Sequence, residues 1–237
     1  MLYALAFYAF FALTTPSSPT EWLQRYDSVM GAQNFKGVFR MRAHREDGSE
    51  RSYTFDVLKM GDDKTRISFQ APSSIFGQEI LRQGDNFWIY MPNLKRAVRL
   101  ASRESFQGGD FNNADVLRIH YETDYSATES TTTAPHTCSL DLRAKTSSAA
   151  YDHIQLMFDT NTRMPTAAEY YSQSGKMLRK AEFSDVRSFE GFERPARIVM
   201  TNMLLPSRNT QLDVLQFDIH AKPTSTAFVL DNLGVQF

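Results

Sequence analysis

The chain has 237 residues, with 26 Lys+Arg against 27 Asp+Glu, 42% apolar residues, 13% aromatic residues and one cysteine. That much apolar surface offsets chain entropy and excludes general disorder, while a formal charge of −1 removes the bulk attraction on which nucleic-acid binders rely. A lone Cys138 can form neither an internal disulfide nor a cysteine-paired zinc site.

Leu2 to Leu13 reads LYALAFYAFFAL, an uncharged run followed by Thr14, Thr15, Pro16 and Ser17. As a helix it would reach about 18 Å, short of a hydrocarbon core of about 30 Å but of the length of a secretory h-region. Residues 1–17 are therefore expected to be an export signal, cleaved after Ser17. With no cysteine near its end, no lipid anchor is expected on the mature chain.

Ser18, Pro19 and Glu21 have the spacing of an N-cap, an N1 proline and a capping-box acid, and Gly31 suits a C-terminal stop. A helix over 19–30 follows, with Trp22, Leu23, Tyr26, Val29 and Met30 on one apolar face and Gln24, Arg25, Asp27 and Ser28 turned away. Period-two alternation then takes over. Phe39, Met41 and Ala43 alternate with Arg40, Arg42 and His44; Tyr53, Phe55 and Val57 with Thr54 and Asp56; Ile67, Phe69 and Ala71 with Arg66, Ser68 and Gln70. Turns are expected at Glu46 to Ser49, Gly61 to Asp63, Gly84 to Asn86 and Asn93 to Lys95. The run Phe87 to Met91, apolar on both faces, is expected to be covered on both, and Arg96 to Leu100 continues the meander.

Residues 107–112 read as a loop, with Asn112 and Asp115 placed to cap a short helix through Ile119. Residues 126–133 read as a solvated loop or an exposed edge strand. Further strands are expected at Cys138 to Leu142, Ile154 to Phe158, 166–172, 177–184, Ile198 to Met203, 211–219 and Phe228 to Leu230. No linker or internal repeat interrupts the order.

None of the nucleophile-elbow, phosphate-loop, dinucleotide or zinc-hydrolase motifs is present in the sequence. Asp110 and Asp115 are read as capping groups, Arg40, Arg42 and His44 as a solvent face balanced by Glu46 and Glu50, and Cys138 as a small buried hydrophobe. No enzyme activity, metal or cofactor is expected. The aromatic and Met residues differ in kind, because a sheet of this size has too little helix to cover it. Either it closes on itself or it leaves an apolar surface for a ligand.

The segments ISFQAP, GQEILRQGDNFWIYMPNLKRAVRL and FQGGDFNNADVLR resemble the LolA-like superfamily of outer-membrane lipoprotein-sorting proteins. They are most similar to the longer branch often associated with RND-type exporters. Residues 164 to 183, Arg194-Pro195 before Ile198-Val199-Met200, and Phe228-Val229-Leu230 resemble the same branch. The carriers proper have an Arg-Pro pair where this chain has Arg66-Ile67, so that arginine's role is not transferred. The resemblance implies a mainly β (α+β) chain: one curved antiparallel sheet over 18–237, an incomplete β-barrel closed by a few helices over an apolar cavity. It also implies a monomeric periplasmic carrier of an acylated lipoprotein or lipid, associated with an inner-membrane RND-type exporter and with no nucleic-acid partner. A lipid-sensing or structural envelope module on the same fold is the alternative. The expected lining is Phe39, Met41, Phe55, Val57, Ile67, Phe69, Trp88 and Tyr90, with Ile198 and Met200 opposite, under a lid of Leu23, Tyr26 and Met30. Alternation groups these residues without saying which group faces the cavity, and Trp88/Tyr90 against Phe87/Ile89 stays open.

Overall fold

The computed structural model describes Pro16 and residues 18–118, 120–130 and 134–235. The expected export signal therefore lies, apart from Pro16, outside the described residues, as does Ile119.

Helix α1 (Pro19–Met30) starts where the sequence places it: the Glu21 N–H donates to the Ser18 hydroxyl at 3.2 Å and proline occupies the first turn. It stops where the Gly31 N–H bonds the Asp27 carbonyl at 3.0 Å. Strands β1 (Asn34–His44), β2 (Glu50–Met60), β3 (Lys64–Ala71), β4 (Glu79–Gln83), β5 (Asn86–Met91) and β6 (Arg96–Leu100) form a meander. The short helices α2 (Asn113–Leu117) and α3 (Tyr121–Asp124) follow, then β7 (Tyr125–Ser130), β8 (Thr137–Ala144), β9 (His153–Asp159), β10 (Met164–Tyr171), β11 (Met177–Phe189), β12 (Phe192–Asn202) and β13 (Asn209–Asp218). Among the described residues all thirteen strands belong to one sheet, in the order 6-5-4-3-2-1-13-12-11-10-9-8-7, with β6 and β7 at its two ends. It is an open, curved antiparallel sheet rather than a closed barrel.

Residues 126–130 thus lie on an edge strand. Met203, expected in a strand, falls in the exposed turn after β12. Phe228 to Leu230 is a larger departure: residues 225–228 and 230–232 form 3-10 turns. Both neighbours of β13 are already β1 and β12, so the chain beyond Asp218 finds no free strand beside it and crosses the convex face instead. There Ala227, Phe228 and Leu233 pack with Leu58 and Leu81, flanked by Trp88, Tyr90 and Ala97. Gly234 is needed at this crossing, since a Cβ would come within 2.6 Å of the Tyr90 ring.

Candidate functional site: the concave face

Register sorts the strands into two faces. Phe39 pairs with Phe55 and Phe55 with Phe69, while Val57, Ile67, Ile80 and Ile89 form a row across β2 to β5. Met41 pairs with Leu212, which pairs with Ile198, carrying the same face through β13 to β12. Phe39, Met41, Phe55, Val57, Ile67, Phe69, Ile198 and Met200 therefore share the concave, buried face. Trp88 and Tyr90 do not. Trp88 pairs with Leu81, which pairs with Arg66, and Tyr90 pairs with Glu79, so both belong to the convex face under the C-terminal segment. Both faces of β5 are apolar, but only one lies under the C-terminal segment while Ile89 on the other floors the open groove, so the expected cover on both sides is not complete and the strand's own alternation is silent about direction.

Two covers lie on the concave face. Helix α1 covers the half built from β7 to β13, with Leu23 buried, the Trp22 and Phe158 ring centroids 4.9 Å apart, and Tyr26 edge-on to Phe183 at 6.1 Å. Asp27, expected on the solvent side, is buried and accepts the backbone N–H groups of Tyr121 at 2.7 Å and Glu122 at 2.9 Å. It latches α1 to the first turn of α3, where unpaired N–H groups need an acceptor. Residues 101–118 cover the other half. Phe106, fully buried, packs on Phe55 and Phe69 with centroids 5.6 and 5.9 Å away.

The covers leave two spaces. Beneath α1, Tyr26, Met30, Phe39, Phe183, Ile198 and Met200 enclose a cavity of about 30 Å³, with Asp115 and Arg194 also on its wall. At the β2–β6 end an open groove of about 850 Å³ has Tyr53, Ile75, Ile80, Ile89 and Leu100 on its floor and Glu50, Arg51, Glu104 and Gln107 among its polar lining. A row of rings joins them: Tyr53 to Phe69 at 6.4 Å, Phe69 to Phe55 at 5.5 Å and Phe55 to Phe39 at 6.0 Å. Phe106 sits over the middle of that row.

The polar groups were only partly foreseeable. Asp115 is a cap, exchanging hydrogen bonds of 2.8 Å with Asn112, and it also accepts the Tyr151 hydroxyl at 2.8 Å. Burial raises its pKa, against the pull of Arg179 and these donors. Asp110 caps nothing; it is buried and accepts the Thr210 hydroxyl at 2.8 Å, tying the 101–118 segment to β13. Arg42 is balanced by Asp213 at 3.1 Å and Arg40 lies 3.9 Å from the same carboxylate, while His44 faces Glu50 at 3.3 Å; Glu46 takes no part in these pairs. Asp213 carried no signal in its own strand, and cross-strand register alone brings it there. Cys138 is buried, and burial pushes its thiol up to about 11. Among the described residues no group of three His, Cys, Asp or Glu side chains is placed to hold a metal ion.

A sheet of this order, curved around one helix and open at one end, has close counterparts. A family model described as "-like: Uncharacterized protein" matches residues 61–234. The chain belongs to this family. A LolA superfamily protein of Nitrosomonas europaea superposes with a TM-score of 0.83 at 24% identity, covering 92% of this chain and 100% of its own. A DUF1329 family protein of Desulfovibrio piger gives 0.80 at 18% identity over 91% and 97% of the two chains. A Vibrio parahaemolyticus domain described as outer membrane lipoprotein-sorting gives 0.76 at 19% over 91% and 98%. Curated proteins give no match. At these identities the likeness is one of fold. Among the described residues of this chain, whose fold is LolA-like, no helix is long and apolar enough to cross a membrane.

Proposed function

We propose that this LolA-like chain, a single domain over 18–237, binds the acyl chains of a lipid or an acylated lipoprotein on its concave face and carries them through the periplasm towards the outer membrane. It does no chemistry of its own in this reading. The observation that carries it is the open groove of about 850 Å³, whose apolar floor runs on through Tyr53, Phe69, Phe55 and Phe39 to a closed cavity. An acyl chain of about 15 buried methylenes gains on the order of 12 kcal/mol before ordering costs. Binding is thus easily driven, and release requires covers that can reclose. Phe106 and the Tyr26/Met30 face of α1 occupy the space a chain would take, so the closed state competes with the loaded one. A monomer exchanging cargo with an RND-type exporter completes the proposal.

Native mass spectrometry of the protein purified from the envelope of its own host tests it. An adduct of lipid mass that is lost on mild activation is expected. Protein that stays free of adducts there and takes up no lipid from mixed vesicles would overturn the reading.

A further inference from the structure

The small cavity beneath α1 has on its wall a cation with no ion-pair partner among the described residues. Arg194 projects from β12 on the same face as Ala196, Ile198 and Met200, and it is 1% exposed. The other deeply buried arginines have their own partners: Arg66 pairs with Glu79, Arg118 with Asp124, and Arg82 donates to the carbonyls of Asp62 and Gly84. Arg194 has one hydrogen bond, from Nε to the Pro195 carbonyl at 3.2 Å, and its Nη1 is buried without a partner. Its remaining support is aromatic, the guanidinium lying 4.5 Å from the Phe217 centroid and 5.9 Å from that of Phe39. No described carboxylate forms an ion pair with it. Asp115, on the same cavity wall, is engaged by Asn112, Tyr151 and, at 3.9 Å, Arg179.

A buried guanidinium without an anion is costly, and a core that needed only packing would do as well with an apolar side chain. The cavity's size is informative too: about 30 Å³ is roughly two water-sized sites, the room taken by the two oxygens of a carboxylate rather than by a chain. Tyr26, Tyr121 and Tyr170 line the same space, and burial holds all three hydroxyls protonated as donors.

We infer that this cavity is the head-group site of a single-chain amphiphile, in which the Arg194 fork binds a terminal oxyanion, carboxylate or phosphate, while the acyl chain lies along the ring row towards the groove. This rests on the carrier reading and narrows its cargo to one with an anionic end.

The test uses the full delipidated chain, titrated calorimetrically with palmitate, hexadecyl phosphate and 1-hexadecanol. A purely apolar site favours the alcohol, because it loses less hydration on burial. Binding of palmitate or hexadecyl phosphate at least tenfold tighter than hexadecanol is expected, and which of the two leads identifies the oxyanion. Arg194→Gln should abolish that preference without weakening hexadecanol, and Arg194→Met, which keeps the stem over Phe217, should keep the thermal transition of the parent. Equal affinity for alcohol and acid in the unaltered protein overturns the head-group site but leaves the carrier standing, and needs no variant. A preference that survives both substitutions overturns it as well. If none of the three ligands binds, the single-chain head-group site is overturned, while the carrier reading still stands or falls on lipid uptake from mixed vesicles.

Discussion

Arg66 and Glu79 face each other across β3 and β4 on the convex side of the sheet, guanidinium and carboxylate 2.7 Å apart and both buried. Arg66 also donates to the carbonyls of Ala227 at 2.9 Å and of Asn232 and Val235 at 3.2 Å, while Glu79 accepts the Gly234 N–H at 2.8 Å. Two strand residues thus hold the C-terminal segment against the sheet. Removing one partner leaves an uncompensated buried charge, so Arg66→Met should cost about 3 to 5 kcal/mol in urea unfolding. Hydrogen exchange should show residues 225–235 losing protection first. Full protection there would disprove the clamp.

Phe106 packs over the ring row between groove and cavity. Phe106→Ala removes a ring held by Phe55 and Phe69 and should destabilise the fold by about 3 to 5 kcal/mol. The same change should speed the uptake of a fluorescent fatty acid in stopped-flow mixing, because a cover has been deleted. Uptake no faster than in the parent would remove Phe106 from the entry route. Charged replacements at Met41 or Phe69, which the alternation alone suggests as probes of binding, would instead bury a charge at fully buried core positions. Ile89→Glu, at a half-buried groove position, is the cleaner probe: it should lower acyl-chain affinity with little loss of stability.

Asp115 gives the stability a pH dependence of determined sign. Its folded pKa is raised, chiefly by burial, so the folded chain keeps the proton to higher pH than the unfolded chain. The resulting stability is complete below the unfolded carboxylate value near ~4 and is lost as pH rises through the folded one. Measured against Asp115→Asn, which keeps an oxygen for the Asn112 N–H, the parent should lose relative stability as the pH rises above the ordinary carboxylate range. A flat or rising difference in urea midpoints would contradict the raised value.

Cys138 should be unreactive while the sheet is intact. With its thiol held at about 11 by burial, little thiolate exists at neutral pH. Labelling by a disulfide reagent should be slow in the native protein and fast in urea. Equal rates would place the side chain outside the core.

The helix over 19–30, most strands and their turns, and the capping role of Asp115 were legible in the sequence, since each depends on neighbours a few residues away. Alternation is local, and so are an N-cap and a proline at N1. What the tertiary structure decided depends on segments far apart in the chain. Trp88 and Tyr90 could not be assigned a face from β5 alone; the register back to Arg66 and the C-terminal crossing assigned it. Strand β4 shows no clean alternation because both its faces are covered. Asp27 and Arg66 each sit where a charge ordinarily meets solvent, and each is buried because a distant segment folds over it, while Arg194 lies on the apolar face of its strand. The sequence by itself determined an aromatic-rich β chain with one capped helix and too little helix to cover its sheet. The structure alone determined which face those aromatics share, and that one unpaired guanidinium lies among them.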